Sequence, residues 1–214
     1  ERELLKKTNP DYIPGKSPLN IDEKIKAKLQ RTMQFGVSES EEVNNALASK
    51  DLLDVNPLSK RKDRGELTGK KTVFFNEQER DMFRVLISQG KFVQNGIPID
   101  TSECISHGKK RFAAFTLNVN GELSVFQHID HDKTGIAHSS MNKGAPVVGA
   151  GEIRIEKGKL ISITDHSGHY RPSLYNTYKV LEYFKKQGID IDGVKILTLA
   201  NPFKLNILHP KSKE

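Results

Sequence analysis

Four turn signals, each a polar residue followed by glycine, separate short apolar runs in the middle of the chain. Pairs of this kind adopt the positive φ angles that tight β-hairpin turns require. The apolar runs beside them predict three hairpins and one further turn, and successive hairpins build an antiparallel sheet that curls. The signals are Gln89-Gly90, Asn95-Gly96, Asn120-Gly121 and Lys157-Gly158.

The segment RPSLYNTYKVLEYFKKQG, residues 171–188, predicts the clearest helix in the chain. Pro172 suits a first helical turn, and Gly188 supplies a stop. The segment VKILTLA that follows predicts a last buried strand. The expected fold class is α+β: a curled antiparallel sheet of hairpins packed against this C-terminal helix, with an N-terminal helical extension. The apolar face of the helix comprises Leu174, Tyr178, Leu181 and Phe184.

The first 71 residues differ in character from the rest. An apolar stripe beginning at Ile21 predicts a helix with a basic opposite side over residues 20–35, and Ser38 with Glu41 predicts a second short helix. The run of charged residues over 58–71 predicts an exposed basic linker. We therefore expect residues 1–71 to be a helical extension and linker, and residues 72–214 to be the α+β domain.

The amino-acid composition limits the kinds of ligand and partner that this chain is expected to bind. The formal net charge of +7 favours anionic partners, although charge of this size also serves solubility. The single Cys104 excludes an internal disulfide and a cysteine-based zinc site. The absence of Trp argues against an aromatic nucleic-acid platform. No long apolar run predicts a membrane span, and the first residues lack the apolar core of a signal peptide, so we expect a soluble protein.

A first group of polar residues offers ligands for zinc or non-haem iron. Strand alternation, however, would place His128 and His131 on opposite faces, and the nearby charges and Gly135 favour a solvated loop. We therefore expect no metal, with a metal hydrolase using His128, His131 and His138 as a minority alternative. The group comprises His128, Asp130, His131, Asp132 and His138.

A second group joins the segment HSS, residues 138–140, to SGHYR, residues 167–171, at the start of the long helix. Backbone amides at a helix start bind anions, and Arg171 adds a positive charge. Gly149 and Gly151 would let the backbone approach a ligand. We expect the two segments to meet in one solvent-reachable cleft. The alternative is that Ser167 caps the turn, Tyr170 packs beneath it and His169 satisfies a carbonyl.

Four segments of the chain together resemble the central domain of plant IQ-motif-containing calmodulin-binding proteins, in which HSS precedes SGHY-x-P. They are ERDMFRVLISQGKFVQNGIPIDTSE, FAAFTLNVNGELSVFQH, AHSSMNKGAPVVGAGEIRIEKGKLISITDHSGHYRPS and VLEYFKKQGIDIDGVKI. The resemblance covers residues 72–196, and similar domains occur in secreted bacterial effectors. The matching positions are His138, Ser139, Ser140, Gly144, Ala150, Gly151, Ser167, Gly168, His169, Tyr170 and Pro172.

Three departures from that family pattern limit what the resemblance implies. Met141-Asn142 replaces the apolar pair that follows HSS. No helix with the IQ pattern is visible, so the calmodulin binding of the family does not carry over to this chain through the resemblance. The family's acidic residue shortly after the SGHY-x-P proline is also absent, which weakens an expectation of activity.

The leading functional hypothesis is a bacterial effector or toxin-like transferase, secreted into the host cytosol, that modifies a host protein with AMP or ADP-ribose from ATP or NAD. In it His169 is a general acid or base beside His138, with Ser139 or Ser140 as nucleophile or anchor. Glu152 and Asp165 are candidate partners of His169. Ligand-binding residues would be Ser167, Gly168, Tyr170, Arg171, Gly151 and Glu152. The alternative hypothesis is a non-catalytic module that binds a host protein such as calmodulin or actin.

Overall fold

A nine-stranded sheet forms the body of the domain in the computed structural model, which describes residues 52–201 and 204–208. The predicted helices over residues 20–35 and from Ser38 lie outside the described residues. The strand order is β11-β10-β9-β8-β6-β7-β1-β2-β3, and β4 pairs with β5 in a separate ribbon. The strands are β1 (Arg84–Ser88), β2 (Lys91–Gln94), β3 (Ile97–Pro98), β4 (Ile105–Ser106), β5 (Lys109–Lys110), β6 (Ala113–Asn118), β7 (Leu123–Phe126), β8 (Val147–Glu156), β9 (Lys159–Thr164), β10 (Lys195–Asn201) and β11 (Lys204–Leu208).

The predicted hairpins are present, and the sheet curls as expected. Gln89-Gly90 joins β1 to β2, and Lys157-Gly158 joins β8 to β9 with positive φ at both residues. The Phe92 amide of β2 donates a 3.0 Å hydrogen bond to the Gly158 carbonyl at the β8–β9 turn. This bond links two parts of the sheet that are far apart in strand order, so the sheet forms a half-barrel.

One strand pair differs from the antiparallel expectation. β9 and β10 run parallel, with Ile163 opposite Ile196. The chain between them forms helix α4 (Leu174–Lys186), which follows the three short helices α1 (Pro57–Asp63), α2 (Glu77–Asp81) and α3 (His131–Thr134). A helical crossover returns the chain to the same end of the sheet, so the next strand is parallel by geometry. The fold class α+β is confirmed.

Helix α4 covers the concave side of the sheet. Tyr178, Leu181 and Phe184 are buried in one apolar cluster with Phe92 and Ile153 from the strands. The Phe92 and Phe184 rings meet edge to face with centroids 4.9 Å apart. The helix begins after Ser173 and stops before Gly188, whose φ of +92° suits glycine. The predicted packing of the C-terminal helix on the curled sheet is therefore present.

The predicted linker over residues 58–71 begins within helix α1, although most of its residues are exposed. Before it, Leu53 forms an antiparallel bridge with Val147 of β8. Asn56 caps α1, because its side chain accepts a hydrogen bond from the Ser59 amide. The side-chain amide of Asn56 donates a 2.6 Å hydrogen bond to the His169 carbonyl. The charge pattern did not indicate that Ser59 and Asp63 are buried, and the division of the chain at residue 71 stays a prediction.

Candidate functional site

Asp63, at the end of α1, connects the two polar segments that the sequence singled out. Its Oδ1 atom lies 3.0 Å from His169 Nε2 and accepts a 3.1 Å hydrogen bond from the Ser139 hydroxyl. Thr72 donates a third hydrogen bond of 2.6 Å to the same atom and lies 2.8 Å from His131 Nε2. The two segments therefore meet, but they do so at the buried carboxylate of Asp63 and not in a solvent-reachable cleft, and Asp63 was predicted to lie in a linker.

The polar network around Asp63 is buried rather than open. Burial pushes the pKa of Asp63 upward, but hydrogen bonds from His169, Thr72 and Ser139 outweigh that effect and lower the pKa below its usual value. Burial also lowers the pKa of His131. Ser139 has no exposed surface, and only 7% of His169 is exposed. The Ser139 hydroxyl is therefore committed to a buried hydrogen bond.

The other predicted site residues of the two segments hold local turns. Ser140 accepts a 2.9 Å hydrogen bond from the Ala137 amide and so caps the 3-10 helix His138–Asn142. The Ser167 carbonyl accepts a 2.8 Å bond from the amide of Arg171, which has a φ of +49°. Tyr170 is buried and donates its hydroxyl proton to the Ala145 carbonyl at 2.9 Å. These contacts fix the loops between which the network lies.

The glycines of β8 make room for protein atoms. A Cβ at Gly149 would lie 2.2 Å from Val180 Cγ2 of α4, and a Cβ at Gly151 would lie 2.0 Å from the Thr164 carbonyl oxygen. Gly168 is different, because nothing lies within 4 Å of a Cβ built there. The expected close approach of a ligand at Gly149 and Gly151 is therefore replaced by close approach of a helix and a strand.

In the first group of polar residues, Asp130 and Asp132 are exposed as expected, but the histidines are buried. Only 7% of His128 and 6% of His131 are exposed. His131, in α3, belongs to the Asp63 network, with ring centroids 6.1 Å from His169. His128 lies instead beside His138, with ring centroids 5.1 Å apart, and beside His107 at 4.3 Å. The structure thus divides the histidines into two clusters, and the sequence analysis missed His107.

Within the second cluster, burial leaves the histidine rings uncharged. Burial lowers the pKa of His128 to about 4 and that of His138 well below its usual value. His138 Nε2 lies 2.9 Å from the Gly151 carbonyl oxygen. The Nδ1 atoms of both rings are buried and have no hydrogen-bond partner in the described part of the chain.

Glu152 of β8 lies beside this cluster rather than at His169. Its carboxylate is fully buried and accepts a 2.8 Å hydrogen bond from Lys109 Nζ of β5, while its other oxygen is 3.7 Å from His166 Nδ1. Burial raises the pKa of Glu152, but His166 and Lys109 together lower it below its usual value. The carboxylate at His169 Nε2 is Asp63, so the predicted pairing of Glu152 with His169 is wrong.

A groove of about 710 Å³ opens above both clusters. Its rim carries three exposed apolar side chains: Leu58 of α1, Ile105 of β4 and Ile129 after β7. His169 lies in its floor, and Arg171 lies at its edge. The further lining residues include Lys62, His107, His128, Asp130 and His131.

The fold and site together define an α+β domain with a buried polar network beside a groove that exposed apolar side chains line. Residues 79–177 match the family model described as the IQ motif-containing protein middle domain. The resemblance to plant IQ-motif proteins is supported over this region. No solved structure matches the chain.

Curated relatives come from the plant Arabidopsis thaliana. The chain is 29% identical over 126 residues to IQ domain-containing protein IQM2, a match covering 58% of this chain and 20% of that protein. It is 26% identical over 125 residues to IQ domain-containing protein IQM5, covering 58% and 23%, and 26% identical over 128 residues to IQ domain-containing protein IQM3, covering 58% and 26%. The matches thus span about a fifth to a quarter of the length of these relatives.

These matches overturn the leading functional hypothesis. The relatives carry the names of plant IQ domain-containing proteins, and none of these names is that of a transferase or a bacterial toxin. The transferase, effector and virulence interpretations are therefore wrong, and secretion from a bacterium is unsupported. The expectations of ATP or NAD as ligand and of no metal are untested. Among the described residues, no helix is both long and apolar enough to cross a membrane.

Proposed function

We propose that this chain is a non-catalytic protein-binding module whose groove receives an extended segment of a partner protein, with apolar side chains next to carboxylates. The observation that carries the proposal is the grouping of Leu58, Ile105 and Ile129 around one groove, with 52%, 43% and 48% of each residue exposed. Exposed apolar side chains gathered at a concave site are typical of interaction surfaces.

The three apolar side chains come from separate parts of the sequence. Leu58 lies in α1, Ile105 in β4 and Ile129 in the loop after β7. Single exposed apolar residues are ordinary, but a convergence of three from distant segments is favourable only if something covers them. An extended peptide along the groove would bury them together.

The charges around the groove favour an acidic partner. Among the lining residues, Lys62 and Arg171 are cations and Asp130 is the single carboxylate. Lys62 also lies 3.7 Å from Asp132 Oδ1, so Arg171 is the cation that remains for a partner. Arg171 forms no ion pair with any described residue, and the whole chain has a formal net charge of +7. Charge complementarity of this kind raises the association rate and selects the partner.

The floor of the groove supports a binding role rather than a catalytic one. A serine nucleophile must be reachable by a substrate, and its hydroxyl must lie within hydrogen-bond reach of a general base. Ser139 is fully buried, and its hydroxyl donates to Asp63, the same carboxylate that contacts His169. We therefore infer that the network keeps the groove walls rigid, which lowers the entropy lost on binding.

Calmodulin is a first protein partner to test, although no helix with the IQ pattern is visible in the sequence. The relatives are named for an IQ domain, and the sequence resembles a domain of calmodulin-binding proteins. The basic helix predicted over residues 20–35 is a second candidate contact and lies outside the described residues. Variants of the groove residues distinguish calmodulin binding at the groove from calmodulin binding at this predicted helix.

The proposal is tested with a displayed library of random peptides selected on the full chain. We expect enriched peptides that combine apolar residues with Asp or Glu. Ile129→Asp should weaken their binding at least about tenfold, because it places a charge on the apolar rim. The matched control is Ile97→Asp, which changes an isoleucine of β3 that is 69% exposed and does not line the groove.

Two results would overturn this proposal. One is the absence of any enriched peptide, and the other is equal binding of the enriched peptides to the Ile129→Asp and Ile97→Asp variants. Binding of calcium-loaded calmodulin to the full chain is measured in parallel by calorimetry. Calmodulin binding that survives in Ile129→Asp would place calmodulin elsewhere on the chain, and the peptide result would then decide the role of the groove.

A further inference from the structure

Three histidines from distant segments converge in the described part of the chain. His107, His128 and His138 each offer one ring nitrogen, and these nitrogens all lie within 4.8 Å of one another. The rings of His107 and His138 both pack edge to face on His128, which accounts for part of this convergence. The ring nitrogens that remain without a partner in the described residues point to a shared ligand.

We propose that His107, His128 and His138 form a site for one divalent transition-metal ion of the Zn²⁺ class, with its fourth position open to the groove. Three imidazole ligands suit zinc, copper and nickel better than magnesium or calcium, which prefer oxygen ligands. The proposal concerns binding alone and does not depend on what occupies the groove.

His138 is arranged as a metal ligand. The contact between its Nε2 and the Gly151 carbonyl, 2.9 Å, places the ring proton on Nε2, because a carbonyl can only accept. Nδ1 is then left with a free lone pair, and it has no hydrogen-bond partner among the described residues although His138 is fully buried. A backbone carbonyl that fixes the tautomer in this way is the usual support of a histidine ligand.

His128 repeats the same feature. Its Nδ1 is also buried without a partner in the described residues, and 7% of the residue is exposed. A buried nitrogen without a partner loses its hydrogen bond to water, and native structures explain most such atoms by a water or an ion. Two unpartnered imidazole nitrogens in one cluster point to one ligand that satisfies both.

His107 is held over the other two by a strained turn. It and Gly108 form the two-residue loop between β4 and β5, with φ angles of 46° and 75°. Such turns favour Asn-Gly, and a histidine with positive φ is uncommon. Ser106 of β4 bridges to His128, which fixes the hairpin beside the second ring.

The surroundings fit a cation of modest charge. Glu152 is a fully buried carboxylate whose field acts on both His107 and His128, and Lys109 offsets part of it. Zinc bonds of about 2.0–2.1 Å in a tetrahedral site need ligand nitrogens about 3.4 Å apart, so nitrogens that lie within 4.8 Å of one another would have to draw together by up to about 1.4 Å. The exposed side chain of His107, in the turn of the β4–β5 hairpin, can supply part of that movement.

This site differs from the metal site that the sequence offered as an alternative. That alternative used His131, which lies in the Asp63 network in the structure. In the site proposed here, His107 stands where the alternative had His131. An ion here would join the β4–β5 hairpin, the end of β7 and the 3-10 helix. Its binding energy would then add to the stability of the fold.

The test uses the full chain without a polyhistidine tag, freed of metal with a chelator and dialysed. Zn²⁺ titration by calorimetry should show one ion per chain, and Zn²⁺ should raise the melting temperature. Co²⁺ should give the visible absorption bands of a tetrahedral site. His107→Asn should weaken Zn²⁺ binding at least tenfold, and His138→Gln should do the same.

Asparagine at residue 107 keeps the turn, because it tolerates positive φ, so that variant should fold like the parent chain. The matched control is His131→Gln, which removes a buried imidazole outside the site and should leave one Zn²⁺ bound. The proposal is overturned if the parent chain binds no Zn²⁺, or if His107→Asn binds it as tightly as the parent. Should His138→Gln fail to fold, His107→Asn alone decides.

Discussion

Asp63 is the residue on which the convergence of the two polar segments depends. One of its oxygens meets His169, Ser139 and Thr72. A buried carboxylate is stable only when its charge is balanced by hydrogen bonds and a nearby cation or dipole. The network therefore fixes α1, the 3-10 helix and the SGHYR turn relative to one another.

We predict that Asp63→Asn lowers the free energy of unfolding by about 3 kcal/mol, because the buried groups that donate hydrogen bonds to Asp63 would then be imperfectly paired. The control is Asp81→Asn, which removes a surface carboxylate 3.0 Å from Arg84 and should cost no more than about 1 kcal/mol. Urea unfolding of both variants gives the comparison. Equal losses would show that the Asp63 network does not hold the segments together.

The pH dependence of the same variant follows from the lowered pKa of Asp63. A carboxyl group whose pKa is lower in the folded state stabilises the protein above its unfolded pKa, about 3.8, and loses that effect as pH falls through the folded value. The stability difference between the parent and Asp63→Asn should therefore shrink as pH falls below about 3.8. A difference that grows as pH falls below that value would contradict the assignment.

Local sequence signals predicted few of the buried residues in the site. Asp63 stands in a run of charges, and only the Asn56-Pro57 pair, a helix start signal, marked the helix that buries it. His107 stands in a turn that usually carries asparagine. Their roles depend on contacts with residues far along the chain, such as Asp63 with His169, and periodicity carries no information about such contacts.

The strands and turns of the sheet were predicted better than the site residues, because each hairpin forms between residues that are close together in the sequence. Residue pairs such as Lys157-Gly158 determine a turn with no help from the rest of the chain. The parallel pairing of β9 with β10 was missed because it depends on where α4 delivers the chain. The role of Gly149 was also missed, since the atoms that exclude a side chain there belong to α4.

The contact between β8 and α4 gives a prediction at the scale of elements. Gly149→Ala should lower the free energy of unfolding by about 1–3 kcal/mol, because its Cβ would lie 2.2 Å from Val180 Cγ2. Val180→Ala removes that atom, so the cost of the double variant should fall short of the sum by at least about 1 kcal/mol.

Gly168→Ala is the matched control, because nothing lies within 4 Å of its added Cβ. It should change stability by less than about 0.5 kcal/mol. Additive costs for Gly149→Ala and Val180→Ala would mean that the helix does not lie against β8 as described.

The molecule as a whole combines a rigid half-barrel with an open groove along one end. The apolar core between α4 and the sheet supplies stability. The groove is lined by His131 and His169 of the Asp63 network and by His107 and His128 of the three-histidine cluster. It is also lined by the exposed side chains of Leu58, Ile105 and Ile129. Exposed apolar side chains gathered at one groove indicate a binding face, and the central claim is that a partner segment lies there.

The most direct measurement of that claim is nuclear magnetic resonance of the ¹⁵N-labelled full chain, titrated with a selected peptide. The account predicts that the largest shifts in amide resonances occur at the groove, at Leu58, Ile105, Ile129 and Arg171, while Ile97 and Met82 stay unchanged. Shifts confined to other surfaces, with the groove residues unmoved at saturating peptide, would contradict it.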